Sequence, residues 1–132
     1  MSADVLQALR AVANGLLYTS ETDAPLELVR WPRGESILTA SDILALIGKD
    51  QDAPISEIGL EAFFRDLIQD QDWHDEDAKR AVQQYRNLLV VLKQTLKNLK
   101  VFKIGEVQID IYIVGRAPDG EWAGIKTTAV ET

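Results

Sequence analysis

Residues 75–114 read DEDAKRAVQQYRNLLVVLKQTLKNLKVFKIGEVQIDIYIV, and within them the spacing of apolar residues changes. From about Asp75 to Leu99, apolar residues recur every three or four positions without Gly or Pro, at Ala78, Val82, Tyr85, Leu89, Leu92, Leu96 and Leu99. This period is typical of an amphipathic helix. We therefore expect one long helix that serves as the structural spine of the protein.

After Val101 the apolar period becomes two, which is typical of half-buried strands. Val107, Ile109, Ile111 and Ile113 alternate with other residues, after a turn at Gly105-Glu106. This pattern predicts a β-hairpin. The turn residues Pro118-Asp119-Gly120 then predict a last strand, from Glu121 to about Val130.

The segments before the long helix alternate between helical and extended patterns. Residues 2–15 carry a helical stripe that ends near Gly15, the stretch TSETDAP (19–25) reads as a loop, and residues 26–31 favour a strand that Pro32 terminates.

Two shorter helices and one more strand are predicted between this strand and the long helix. Thr39 precedes Asp42 by three residues, which is a capping-box pattern, and Gly48 provides a C-terminal stop. Residues 54–58 predict a short strand that leads into a helix from Leu60 to Leu67.

The resulting order is α-β-α-β-α-α-β-β-β, without repeats or linkers. It predicts an α/β protein of the α+β type: a three-layer α/β/α sandwich with a mainly antiparallel mixed sheet. We expect residues 1–132 to form a single domain.

The composition is that of a globular protein, with 46% hydrophobic and 27% charged residues. Because the chain has no cysteine, it has neither disulfide bonds nor a zinc site of the cysteine type. No signal peptide is visible, and the longest apolar stretches are far shorter than the roughly 20 residues that span a bilayer. We expect a cytoplasmic protein.

Charge is unevenly distributed along the chain, whose formal net charge is −7. Residues 1–77 contain 5 bases and 16 acids, whereas residues 78–132 contain 9 bases and 5 acids. A net acidic surface repels the phosphate backbone, so non-specific binding of nucleic acid is disfavoured. A basic partner is favoured instead.

The acids are densest between Asp66 and Asp77, where half of the twelve residues are carboxylates and Trp73 lies among them. Residues 75–77 fall at the start of the long helix, where carboxylates cap free N–H groups and complement the helix dipole. Helix stability does not explain Trp73. A buried staple and an interface anchor are both compatible with its position.

His74 is the only histidine, and carboxylates flank it. A catalytic zinc site usually has at least two histidines, and the chain contains neither HExxH, nor a nucleophile elbow, nor a glycine-rich phosphate loop. A hydrolase that uses His74 is therefore the last of our hypotheses. We expect no enzymatic activity, no cofactor and no metal site of the protein's own.

Several segments together resemble the nuclease A inhibitor family, whose members block sugar-non-specific DNA/RNA endonucleases of the ββα-metal type. The resemblance extends nearly from end to end. Its markers are Gly15-Leu16-Leu17 with Ser20-Glu21, the loop 51–54, Gln71-Asp72-Trp73, the segment 98–115 and the ending 123–132. The family's three-layer α/β/α sandwich agrees with the predicted order of elements.

The resemblance implies a protein that covers the active-site cleft of such a nuclease. By position, Glu21 would pair with a basic active-site residue, and Gln71, Asp72 and Trp73 would form a contact patch. Thr132 would reach toward the Mg²⁺ that the nuclease holds.

The chain departs from the family at two places that bear on its partner: His74 stands where we expect an aromatic residue, and Lys79-Arg80 makes the early long helix less acidic. The partner is expected to be the endonuclease, without direct contact to nucleic acid or a membrane, and the free protein is expected to be a monomer. The alternative is a non-catalytic binding module of the same fold with a different basic partner.

Overall fold

The computed structural model describes residues 2–19, 23–31, 39–69 and 75–131. Within these ranges the chain forms four helices and seven strands. The helices are α1 (Ser2–Ala13), α2 (Ala40–Leu46), α3 (Leu60–Phe64) and α4 (Glu76–Thr95). The strands are β1 (Leu17–Thr19), β2 (Asp23–Pro25), β3 (Glu27–Trp31), β4 (Ile55–Ile58), β5 (Lys97–Ile104), β6 (Gln108–Arg116) and β7 (Trp122–Val130). The predicted α+β class is confirmed.

Five strands form the main sheet, in the order β3-β7-β6-β5-β4. Each neighbouring pair in it is antiparallel, so the predicted antiparallel character is confirmed, and the described strands include no parallel pair that would make the sheet mixed. β6 lies at the centre and pairs with β7 along its whole length, from Gln108↔Val130 to Arg116↔Trp122. The predicted hairpin and last strand are therefore confirmed.

The two faces of the sheet carry separate hydrophobic clusters, because successive side chains of a strand point to opposite faces. Along β6, Ile111 and Ile113 belong to one cluster, whereas Tyr112 and Val114 belong to the other. Helices α1 and α4 supply the first cluster, and α2 supplies the second. Helix residues thus contribute to the buried cluster on each face.

The capping signals at α2 are confirmed. The Asp42 backbone N–H donates to Thr39 Oγ1 at 3.2 Å, and the Thr39 N–H donates to Asp42 Oδ2 at 3.0 Å. After the helix, Gly48 adopts φ 75°, and Lys49 N–H donates to the Leu44 carbonyl at 2.9 Å. The predicted strand before α3 is also found, although α3 ends at Phe64 rather than at Leu67.

The prediction that residues 19–25 form a loop is wrong at both ends, because Thr19 belongs to β1 and Asp23–Pro25 form β2. These two strands make a separate antiparallel pair, so the observed order has two strands more than predicted. Each is only three residues long, which is too short for an alternating pattern to show. A tertiary contact anchors the hairpin to β7: Thr127 Oγ1 donates to the Pro25 carbonyl at 3.0 Å.

The predicted end of the long helix, near Leu99, is also wrong. α4 ends at Thr95, and the backbone of Leu96 is already extended, with φ −125° and ψ 147°. Leu96 and Leu99 continue the helical spacing of apolar residues, but β5 begins at Lys97, which pairs with Arg116 of β6. Pairing with the neighbouring strand satisfies the backbone groups and overrides the local helical pattern.

Candidate functional site

The five residues predicted to contact a partner are Glu21, Gln71, Asp72, Trp73 and Thr132, and all five lie outside the described residues. The two interpretations of Trp73, a buried staple and an interface anchor, are therefore not tested by the described residues. His74 lies outside them as well. The structure does describe the residues that flank the three segments to which these positions belong. We therefore describe the candidate site through these flanking residues.

The flanks of residues 20–22 are the two strands of the small hairpin. Thr19 and Asp23 are register partners, so the backbone enters and leaves this segment at two adjacent points. Leu17, at the start of β1, is 47% exposed. Tyr18 is half-buried and packs against the main core.

An aromatic contact joins this hairpin to the region that precedes residues 70–74. The Tyr18 ring stacks on Phe63 of α3, with 5.8 Å between ring centroids and 11° between ring planes. Phe63 in turn meets the buried ring of Phe64 edge-on at 5.4 Å. The side chains before two of the predicted contact segments thus lie against each other.

Helix α4 ties both flanks to the core through polar contacts. Tyr85 Oη donates to the Leu17 carbonyl at 2.7 Å, and Arg86 Nε donates to the Ile68 carbonyl at 2.8 Å. Burial raises the pKa of the Tyr85 hydroxyl, with a smaller contribution from Tyr18. Its proton is therefore retained, and the hydroxyl remains a donor to β1.

Glu131, which precedes Thr132, lies near the Tyr18 ring as well. Glu131 N–H donates to the Val107 carbonyl at 2.9 Å, next to the turn between β5 and β6. The pKa of Tyr18 is raised, first by burial and then by the negative charge of Glu131. The Glu131 carboxylate therefore acts on the ring that stacks on Phe63.

We call Leu17, Tyr18, Phe63, Val107 and Glu131 the Tyr18 cluster. It brings together Leu17 and Tyr18 before residues 20–22, Phe63 in the helix that precedes residues 70–74, and Glu131 before Thr132. Leu17 and Val107 are about half exposed, at 47% and 51%, and both offer apolar surface. The sequence reasoning gave no role to any of the five, because a single exposed apolar residue carries no local signal of function.

The acidic start of α4 follows the prediction made for it. Asp75 is the N-cap, and its Oδ1 accepts from Ala78 N–H at 2.8 Å. Glu76 and Asp77 occupy the first turn, where carboxylates complement the helix dipole. At this position helix capping accounts for the Asp75 carboxylate.

The described ranges contain neither a metal-binding group of side chains nor a membrane-spanning helix. Among those residues no group of three His, Cys, Asp or Glu side chains is arranged to hold a metal ion. No helix within those ranges is long and apolar enough to cross a membrane.

Comparison with known proteins identifies the family of the chain. No curated protein matches the chain. The sequence model of the nuclease A inhibitor-like proteins, in contrast, matches residues 3–132. Because this match covers essentially the whole chain, including the Tyr18 cluster and the three segments that it flanks, the protein belongs to the nuclease A inhibitor-like family.

Proposed function

We propose that the protein inhibits a sugar-non-specific DNA/RNA endonuclease by binding over its active-site cleft. Membership of the nuclease A inhibitor-like family supports a nuclease as the partner. The observation that carries the proposal further is the Tyr18 cluster, in which neighbours of three separate contact segments lie together. A surface built from these segments would be one continuous patch.

Glu21 would pair with a basic residue of the nuclease active site, and Thr132 would approach the nuclease-bound Mg²⁺. Gln71, Asp72 and Trp73 would form the patch between them. A nuclease cleft has cations that hold phosphate, so carboxylates on a rigid inhibitor occupy the same positions and exclude the substrate. The inhibitor itself performs no chemistry in this mechanism and needs no cofactor.

The described carboxylates support this assignment through their sign. Glu131 belongs to the Tyr18 cluster, and Asp23 is exposed beside residues 20–22. Negative charge on this surface attracts a basic cleft over several ångströms and speeds association. We therefore expect the association rate to fall as the salt concentration rises.

Leu17 and Val107 would add apolar contact at the edge of the surface. Both are exposed, and the Val107 carbonyl accepts from the Glu131 backbone N–H. An apolar margin excludes water from the charged contacts and makes each of them stronger. We assign these two residues a supporting role in binding.

We further infer that the helices on the two faces of the sheet complete the three-layer α/β/α sandwich, because the two buried clusters lie on opposite faces. We also propose that the free protein is a monomer and acts in the cytoplasm, where a chain without cysteine loses no stabilising bond.

The test is a DNA cleavage assay with a sugar-non-specific endonuclease from the same host. A stoichiometric amount of the protein should stop cleavage. Glu21→Ala and deletion of Thr132 should each weaken inhibition by about 2–5 kcal/mol, the cost of breaking a buried charged contact. The matched control is Glu57→Ala, which removes an exposed carboxylate that pairs with Lys100 on β5 and should leave inhibition unchanged.

Two results would contradict the proposal. Undiminished cleavage at a clear excess of the protein would remove the endonuclease as partner. Inhibition by the Glu21→Ala and Thr132-deletion variants equal to that of the control would remove the proposed contacts while leaving the partner in place.

A further inference from the structure

A cavity of about 550 Å³ lies where α4 ends, β5 begins and the β6–β7 turn passes. Three basic residues line it: Lys93, Lys97 and Arg116. Part of the remaining lining is apolar and includes the buried residues Leu96 and Ala117. Volumes of roughly 300–1,000 Å³ are typical of small-molecule sites.

Two of the three cations are direct neighbours on adjacent strands. Lys97 of β5 and Arg116 of β6 are register partners, and both line the cavity. Like charges placed directly opposite each other on a sheet are destabilising. The fold nevertheless places two positive charges opposite each other at the cavity.

The Arg116 side chain is held in place by a ring. Its guanidinium carbon lies 4.9 Å from the ring centroid of Trp122, which is only 4% exposed. This cation–π contact favours one position of the guanidinium, whose planar fork of N–H donors suits bidentate contact with phosphate oxygens. Arg116 is thus oriented before any ligand arrives.

The backbone at the cavity rim has a bulge and a close approach between strands. The register of β5 against β6 shifts between Lys97 and Lys100, and within this bulge Asn98 has φ 56°, the one positive φ of a described non-glycine residue. A Cβ at Gly115 would lie 2.8 Å from the Lys97 carbonyl. The close approach and the bulge together set the position of Lys97, and bulges are common beside functional sites.

Two nearby carboxylates pair with cations other than Lys97. Glu121 pairs with Arg30, its Oε2 at 2.7 Å from Arg30 Nε, and Glu61 pairs with Lys93. Among the described residues, Lys97 has no carboxylate partner.

A simpler explanation covers one cation only. Carbonyl groups at the C-terminus of a helix attract positive charge, and Lys93 lies in the last turn of α4. Lys97 belongs to β5, and Arg116 lies at the end of β6, 21 positions after the last residue of α4. The helix dipole therefore does not account for the pair.

We propose that this cavity binds a small molecule that carries a phosphoryl group, with Lys97 and Arg116 as its anion-binding side chains. The cavity is large enough for a ligand of nucleoside monophosphate size, whose apolar part would lie against Leu96 and Ala117. Gln108, at the start of β6, pairs with Val130, the residue before Glu131. Arg116 is eight positions further along β6. This corresponds to about 27 Å at about 3.4 Å per residue, so the site is separate from the proposed nuclease surface.

The experiment uses the full chain, labelled with ¹⁵N, and follows amide NMR shifts on titration with adenosine 5′-monophosphate and with pyrophosphate. Adenosine serves as the uncharged control at matched ionic strength. We expect saturable shifts around residues 93–97 and 115–118 with both phosphates. Adenosine should cause none.

The test variant is Lys97→Gln, and the matched control is Lys49→Gln, which removes one exposed lysine after α2. Lys97→Gln should raise the dissociation constant at least about tenfold, the loss of one charge-assisted hydrogen bond. The control should change it less than about twofold, because only long-range attraction is lost.

A second readout separates binding from folding. Without ligand, Lys97→Gln should unfold at about the same temperature as the natural protein, because Lys97 is exposed and forms none of the ion pairs of the described residues. The proposal is overturned by shifts that do not saturate, or by equal weakening in the two variants. Since neither variant touches the nuclease surface, both should inhibit the endonuclease normally, so this test is independent of the proposed function.

Discussion

The stack between Tyr18 and Phe63 provides a quantitative test of how the recognition surface is held. Phe63→Leu removes the stack but keeps an apolar side chain of similar length. The chain offers a matched control on the other face of the sheet, where Trp31 and Tyr112 also lie 5.8 Å apart. Trp31→Leu removes that contact far from the Tyr18 cluster.

The magnitude follows from the contacts that are lost. An aromatic pair contributes about 0.5–1.5 kcal/mol beyond its buried area, and Phe63 takes part in two such pairs, with Tyr18 and with Phe64. With its partial burial, we expect Phe63→Leu to lower the free energy of unfolding by about 1–3 kcal/mol. At this chain length each kcal/mol lowers the melting temperature by roughly 3–6 °C.

Stability alone does not distinguish the two variants, so inhibition is measured at a temperature where both remain folded. Phe63→Leu should weaken inhibition of the endonuclease at least about tenfold, because the hairpin before Glu21 loses its contact with α3. Trp31→Leu should lose similar stability and keep full inhibition. A double-mutant cycle of Tyr18→Leu and Phe63→Leu should give a coupling free energy of about 0.5–1.5 kcal/mol in unfolding.

Two outcomes would refute this reasoning. If Phe63→Leu inhibits as well as the natural protein, the stack does not position the contact segments. If Trp31→Leu weakens inhibition to the same extent, the loss follows from general destabilisation rather than from the Tyr18 cluster.

Three further predictions concern stability. Asp75→Ala should cost about 1 kcal/mol of unfolding free energy, because the cap on Ala78 N–H is lost, whereas Asp75→Asn should retain most of it in denaturant titrations. Gly124→Ala should cost about 3 kcal/mol or prevent folding, since its Cβ would lie 1.9 Å from the Ile113 carbonyl oxygen; a normal melting temperature would contradict this. The raised pKa of Tyr85 means that the unfolded chain loses this proton first above its ordinary value of 10.0, so the melting temperature should fall as pH rises from about 10, and the fall should be shallower in Tyr85→Phe.

Local patterns predicted most of the fold. The capping box at Thr39 and the alternation from Val107 to Ile113 both led to elements that the structure contains. Such signals depend on neighbours within a few residues, so they are readable without knowledge of the fold.

Two of the errors have a common cause. The hairpin of β1 and β2 and the early end of α4 at Thr95 are both decided by contacts with distant strands. The Thr127 side chain donates to the carbonyl of Pro25, which lies 102 positions earlier in the chain. Arg116 of β6 pairs with Lys97 of β5. Backbone pairing of this kind outweighs the small preference of Leu96 and Leu99 for helix.

The sequence by itself determined most of the element types, the change of charge sign after Asp77 and, through several short segments, the family. Only the tertiary structure decided which residues lie together. The stack of Tyr18 on Phe63 and the placement of Lys97 opposite Arg116 join residues that are distant along the chain. Interactions within a few residues leave a periodic trace in the sequence, whereas contacts between distant residues depend on strand order and register, which leave none.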